Sequence, residues 1–185
     1  MNFYVLAGGR STRMGRNKAL LPVGRQTLIE TVLSALPCPR DNVKLLTNSP
    51  NDYSFLGLGT VPDIHPGIGP IAGIQAGLLQ SGSARNFFVA CDMPLLTTEV
   101  VQSILDEDDD ADVTVPRSGT GLEPLCAVYS RACLPEIEIQ ISRGEYGLQR
   151  LLARVNCHVL EMSGSSALTN VNAPDDYRQI TEREP

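Results

Sequence analysis

The sequence lacks long hydrophobic segments. Its apolar runs extend over only a few residues, far short of the roughly 20 that a helix needs to cross a bilayer. Residues 1–7 carry no basic amino acid, and glycines interrupt this short apolar stretch at once, so the pattern does not predict a signal peptide. We therefore expect a cytoplasmic protein that has no membrane partner.

Metal-binding cysteine patterns are also missing. The five cysteines include no Cys-x-x-Cys pair, and only two histidines accompany them, which excludes the spacing of a zinc finger. An odd number of widely spaced cysteines does not predict a disulfide framework. We interpret them as small buried thiols in a reducing compartment.

Motifs for covalent catalysis are absent as well. No Gly-x-Ser-x-Gly occurs, and no cysteine has an evident histidine partner, so the sequence gives little support for a covalent intermediate. No glycine is followed by Lys-Ser or Lys-Thr, which excludes a Walker A phosphate loop.

The charge of the chain is unevenly distributed. The net charge is −6, but residues 1–40 alone carry +5. Six of the acidic residues lie in segment 106–112, where we expect them to be solvated. An acidic protein with one local basic segment suits a small anion better than a nucleic-acid backbone.

Length and hydrophobic pattern predict one α/β domain spanning residues 1–185. The apolar runs predict strands at residues 3–6, 43–47, 60–61, 87–90, 113–115, 125–129 and 157–160. Helical spacing predicts helices at 27–36, 70–79, 98–105, 132–141 and 148–155, with a last helix from Pro174. This alternation favours a mostly parallel sheet that helices cover on both faces, with ligands bound beyond the carboxyl ends of the strands.

The most informative motif is residues 6–21, LAGGRSTRMGRNKALL. Gly8 and Gly9 would let the backbone approach a phosphate closely. Arg13 could bind a phosphate with two hydrogen bonds, and Lys18 could act as a point charge. The alternative is a surface loop with scattered cations.

Three further motifs follow predicted strands. Asp92 is placed to hold Mg²⁺ together with substrate phosphates, and Asp63 has the same placement after its own strand; either could instead cap a turn. Residues 67–72, GIGPIA, match a dinucleotide fingerprint only formally, and we favour a glycine-rich turn before the helix at 70–79. Asn170 and Asn172 precede the last helix, which they could simply cap.

In this order, the motifs resemble those of the molybdenum cofactor guanylyltransferases, a family of MobA-like nucleotidyltransferases. The resemblance rests on residues 6–21, Asp63 with residues 69–73, residues 91–94 (CDMP), residues 123–125 (EPL) with Tyr129, and residues 170–174 (NVNAP). It implies a three-layer α/β/α sandwich with a Rossmann-like, mostly parallel mixed sheet. It also implies transfer of GMP from Mg·GTP to molybdopterin, with release of pyrophosphate.

The resemblance further implies roles for individual residues. Leu6, Ala7 and Gly8 would line the guanosine, Lys18 would contact phosphate, Asn48 and Asp63 would contact the nucleotide, Asp92 would bind Mg²⁺, and Asn170 and Asn172 would lie near the pterin. Molybdoenzymes or cofactor-handling proteins are the protein partners that it implies. Asn17 and Ala173 depart from the usual residues of the family, an acid and a threonine.

Three other functions fit part of the pattern. They are cytidylyl transfer to the same pterin, sugar-phosphate nucleotidyl transfer, and nucleotide binding without catalysis. The choice of base depends most on Asp63, because one carboxylate can accept hydrogen bonds from both N1–H and the amino group of guanine. We expect Asp63 to read guanine and GTP to be preferred.

Overall fold

The computed structural model describes residues 1–8, 17–107, 110–171 and 174–181. The strands are β1 (Asn2–Leu6), β2 (Pro22–Val23), β3 (Gln26–Thr27), β4 (Val43–Leu46), β5 (Gly59–Val61), β6 (Arg85–Ala90), β7 (Val113–Ser118), β8 (Gly121–Leu122), β9 (Cys126–Ser130) and β10 (Cys157–Glu161). The α-helices are α1 (Leu28–Ser34), α2 (Pro70–Gln80), α3 (Thr98–Leu105), α4 (Leu134–Ser142), α5 (Leu148–Leu152) and α6 (Pro174–Thr181).

The main sheet has the strand order β10-β7-β9-β6-β1-β4-β5, and β8 pairs with β7. The pairs β1–β4, β1–β6, β4–β5 and β10–β7 are parallel. β9 is antiparallel to both of its neighbours, β6 and β7. This arrangement confirms the predicted mixed, mostly parallel sheet.

Helices cover both faces of this sheet. Side chains alternate along β1, so Phe3 and Val5 pack in one hydrophobic cluster with buried residues of α1 and α3. Tyr4 and Leu6 point the other way and pack with α2, α4 and α5. The two clusters make the three-layer α/β/α sandwich that the sequence predicts.

Small residues bring α2 close to the sheet. A Cβ atom added to Gly77 would lie 2.7 Å from Phe88 Cε1, a distance that real side chains do not adopt. Gly73 faces Leu6 and Leu46, with 3.3 and 3.4 Å between its added Cβ and their side chains. The helix therefore lies close against the central strands β1, β4 and β6.

The structure adds elements that the pattern did not predict. β2 and β3 form a short antiparallel hairpin that turns at Gly24, where φ is +54°. Residues Pro50–Leu56 form 3-10 helix between β4 and β5. In the described part of the chain, no helix is both long and apolar enough to cross a membrane.

Candidate active site

Four parallel strands end side by side at one edge of the sheet. In the register of β1, β4, β5 and β6, Leu6 lies beside Leu46 and Ala90, and Leu46 beside Val61. Hydrogen bonds continue one residue further, from Ala7 N–H to the Leu46 carbonyl at 3.0 Å, for example. The residues that follow these strands therefore emerge close together.

Lys18 and Asp92 form an ion pair at this edge. The distance from Lys18 Nζ to Asp92 Oδ2 is 2.6 Å, and the two side chains are 15% and 19% exposed. Asp92 comes two residues after β6, whereas Lys18 opens a 3-10 turn, Lys18–Leu20. Two of the predicted site residues, 74 positions apart in the chain, are thus in direct contact.

The second oxygen of Asp92 differs from the first, which is paired with Lys18. Asp92 Oδ1 is buried and makes no hydrogen bond to any described residue. An unpaired buried oxygen is costly, and a carboxylate oxygen is a ligand that Mg²⁺ accepts readily. Within the described ranges, no three His, Cys, Asp or Glu side chains are grouped so that they could hold a metal ion by themselves. Asp92 therefore fits a metal that takes one protein carboxylate and completes its shell with phosphates and water.

The thiol next to Asp92 is held in its neutral form. Burial of the thiol, together with the neighbouring Asp92 carboxylate, raises the pKa of Cys91 to about 12. A neutral thiol is a weak nucleophile. Cys91 therefore contributes no thiolate to this edge at neutral pH.

Asn48 and Asp63 pair at the ends of β4 and β5. Asn48 Nδ2 donates to Asp63 Oδ2 at 2.7 Å, and the Asp63 backbone N–H donates to Asn48 Oδ1 at 3.0 Å. Asp63 Oδ1 lies toward α2, 3.6 Å from the Cβ that Gly73 lacks. Asn48 and Asp63, which are both predicted to contact the nucleotide, are therefore hydrogen-bonded to each other. Oδ2 of the Asp63 carboxylate is used in this pair.

The residues that are predicted to line the guanosine lie at the end of β1. Leu6 and Ala7 are buried and Gly8 is exposed. The Ala7 carbonyl accepts a hydrogen bond from the hydroxyl of Tyr53 at 2.8 Å. Tyr53 lies 46 positions away along the chain and was missed by the pattern, because nothing local in the sequence marks such a long-range contact.

Asn170 belongs to a polar network around Glu123. Asn170 Nδ2 donates to Glu123 Oε2 at 3.2 Å, while Ser118 and Thr120 donate to Oε1 at 2.6 and 3.1 Å. A cavity of about 450 Å³ lies beside this network; it is lined by Ser118, Gly119, Thr120, Ser163, Gly164, Ser165, Ser166, Leu168, Thr169 and Asn170. Val171 N–H donates to the Asp92 carbonyl at 2.9 Å, which ties the cavity wall to the strand-end edge.

Three predicted site residues, Gly9, Arg13 and Asn172, lie outside the described residues. Of the others, Leu6, Ala7 and Gly8 lie at the end of β1, and the remaining five take part in three separate contacts. Lys18 joins Asp92, Asn48 joins Asp63, and Asn170 joins Glu123. Glu123 was noted only as part of the EPL motif, without a role of its own.

Comparison with known proteins gives one consistent result. Residues 3–159 match the MobA-like NTP transferase domain family. Probable molybdenum cofactor guanylyltransferases from Carboxydothermus hydrogenoformans and Pelotomaculum thermopropionicum are 33% and 36% identical to this chain. The first alignment spans 95% of this chain and 92% of the relative, and the second spans 93% and 87%.

A solved structure agrees with the sequence relatives. The crystal structure of molybdopterin-guanine dinucleotide biosynthesis protein A from Archaeoglobus fulgidus is similar to this chain with a TM-score of 0.82 at 27% identity. That match covers 98% of this chain and 97% of the other.

Proposed function

Because this chain belongs to the MobA-like NTP transferase family, we propose that it transfers GMP from GTP to molybdopterin and releases pyrophosphate. The names of the relatives and of the similar crystal structure support this choice of substrates. We also propose that residues 1–185 act as one domain and work in the cytoplasm, where the five free cysteines would stay reduced.

The Lys18–Asp92 pair is the observation that carries the proposal. A cation and a carboxylate with one unpaired oxygen meet where ligands of such sheets bind. Lys18 would contact the phosphates as a point charge, and Arg13 would bind them alongside it. Asp92 would hold Mg²⁺. When it is bound, this ion would neutralise part of the negative charge of the triphosphate.

The reaction needs positioning more than a protein nucleophile. An oxygen of the terminal phosphate of molybdopterin forms a bond to the α-phosphorus of GTP, and the bond from that phosphorus to the bridging β-oxygen breaks. Pyrophosphate leaves with the bonding electron pair. The attacking phosphate is already an anion, so no side chain has to remove a proton; the chain's task is to bring two anions together and offset their repulsion.

The Asn48–Asp63 pair would select the base. Asn48 holds Oδ2 of the carboxylate, and Oδ1 would accept from the N1–H and amino groups of guanine. Cytosine presents acceptors beside its amino group, so the same oxygen would face a lone pair. The backbone of Leu6, Ala7, Gly8 and Gly9 would lie against the nucleoside.

The cavity beside Asn170 would receive the acceptor. The serine, threonine and glycine residues of its lining offer hydroxyl groups and backbone polar groups. Such a lining suits a heterocycle with many hydrogen-bonding atoms. Asn170 and Asn172 would contact the pterin, and Val171 connects this wall to Asp92. Molybdoenzymes or cofactor-handling proteins would take up the product.

Pyrophosphate release tests the proposal directly. The protein is mixed with molybdopterin, Mg²⁺ and, in separate reactions, GTP, CTP or ATP. We expect release with GTP that exceeds release with the other nucleotides. A preference for CTP would favour cytidylyl transfer, and nucleotide binding without release from any nucleotide would favour a module without catalysis.

A further inference from the structure

Tyr53 connects two segments that contribute to the site. It lies in the 3-10 helix Pro50–Leu56 and is only 2% exposed. Its hydroxyl donates to the Ala7 carbonyl at 2.8 Å and accepts from Asn17 Nδ2 at 3.0 Å. One oxygen atom therefore joins the end of β1 to the residue that precedes Lys18.

Asn17 extends this connection to Lys18. Its Oδ1 accepts from the Ala19 N–H at 3.2 Å and so caps the turn that Lys18 opens. The Asn17 carbonyl also accepts from Leu20 N–H at 3.1 Å. Because Lys18 lies inside this capped turn, the position of Asn17 determines where the lysine stem begins.

The two side chains have complementary chemistry. Burial raises the pKa of Tyr53 to about 12, so the hydroxyl keeps its proton at neutral pH and can donate to Ala7. The amide of Asn17 both donates and accepts: Nδ2 donates to the Tyr53 oxygen, while Oδ1 accepts from the Ala19 N–H and lies 3.2 Å from the Tyr53 hydroxyl. An alanine at position 17 would lose the hydrogen bonds to Tyr53 and Ala19 and would leave the Tyr53 hydroxyl bonded to Ala7 alone.

We propose that Tyr53 is a positioning residue of the active site, which acts through Asn17 to fix Lys18 relative to Asp92 and to the Ala7 backbone. The kinetic part of this inference rests on the proposed nucleotidyl transfer. Tyr53 itself touches no reacting atom; its effect on catalysis comes from the placement of the lysine.

The kinetic test uses Tyr53→Phe in two backgrounds. In the otherwise unchanged chain we expect kcat to fall about 3- to 10-fold, with less than about a twofold change in the KM for GTP. In a Lys18→Ala chain the same change should lower kcat less than about twofold, because the residue that it positions is gone. Equal losses in both backgrounds would overturn the inference.

A matched control separates positioning from loss of stability. Ile137→Val removes one methylene from a fully buried residue of α4, in the cluster on the other face of the sheet. Its stability loss should be similar to that of Tyr53→Phe, while kcat stays unchanged. A comparable fall in kcat for both variants would assign the Tyr53 effect to stability alone.

A second test needs no activity. The chain contains only two lysines, Lys18 and Lys44, so amine acetylation can be followed at each by mass spectrometry, with Lys44 as the internal standard. We expect the ratio of the Lys18 to the Lys44 rate to rise at least about threefold in Tyr53→Phe. Asn17→Ala should raise the same ratio, because it removes both the cap on the Ala19 N–H and the hydrogen bond to Tyr53.

The two tests fail in different ways. If the protein releases no pyrophosphate with any nucleotide, the proposed function is wrong and the acetylation ratio alone decides the inference. If turnover is normal but the ratio is unchanged in both Tyr53→Phe and Asn17→Ala, the inference about Tyr53 is wrong and the proposed function stands.

Discussion

Asp92→Asn is the most direct test of the metal role. Asparagine has the shape of aspartate, and its oxygen can still accept from Lys18 Nζ at the observed 2.6 Å position. The amide nitrogen would then replace the unpaired Oδ1. Because that nitrogen is a donor without negative charge, the variant should keep its fold and lose its ability to hold a cation.

The expected loss of rate in Asp92→Asn follows from how deeply the Asp92 carboxylate is buried. At an effective dielectric constant of about 20, unit charges about 4 Å apart interact by about 4 kcal/mol. This energy corresponds to roughly 10³-fold in rate. Since about a fifth of the Asp92 side chain is exposed, water screens part of this interaction. We therefore expect kcat/KM to fall about 10²- to 10³-fold.

The measurement is pyrophosphate release as a function of Mg²⁺ and Mn²⁺ concentration. Asp110→Asn serves as the control, because it removes an exposed carboxylate from the acidic segment 106–112. The control should match the original protein, and thermal denaturation should show that both variants are folded. If Asp92→Asn has the original rate and the original metal dependence, our assignment of the metal to Asp92 is refuted.

Three further predictions concern the base, the phosphates and the packing of α2. Lys18→Ala should lower kcat/KM for GTP about 10²- to 10³-fold, since one charge that offsets the phosphates is lost; a loss below about tenfold would exclude a major role. Asp63→Ala should raise the KM for GTP and reduce the preference for GTP over CTP, expected at about 5- to 150-fold, in parallel pyrophosphate assays. A change of metal dependence instead would assign Asp63 to the metal. Gly77→Ala should lower the free energy of unfolding by about 1–3 kcal/mol in urea titrations, because its Cβ would meet Phe88 at 2.7 Å. Gly82→Ala is the control, with no atom within 4 Å of its Cβ, and an equal loss there would contradict the packing argument.

The sequence was most informative about the parallel strands. The short apolar run at residues 43–47 predicts a buried strand, which the structure has at Val43–Leu46, and polar residues directly after such runs mark the strand ends. The placement of Asp63 and Asp92 at one edge then follows from parallel pairing. The class of the fold and the neighbourhood of these carboxylates were therefore predictable.

Contacts between distant segments were not predictable in the same way. Tyr53 reaches Asn17 and Ala7 across 36 and 46 positions, and its local sequence reads only as a loop after Pro50. The reversed direction of β9 has no local signal either, because strand direction is set by the connections and by packing. The hairpin of β2 and β3 was missed since two-residue strands carry too little periodicity.

The reversal of β9 has a consequence for how such a protein can change. Because β9 runs against β6, its first residues lie beside the last residues of β6, and Ala90 N–H donates to the Leu125 carbonyl at 2.8 Å. The sheet is thereby divided into a half that carries the Lys18–Asp92 and Asn48–Asp63 pairs and a half whose loops border the Glu123 cavity. These halves share a single strand pair, β6–β9. Since each half also has strand pairs of its own, we expect substitutions around the Glu123 cavity to alter the proposed acceptor site with little effect on the strand ends that hold the Lys18–Asp92 and Asn48–Asp63 pairs.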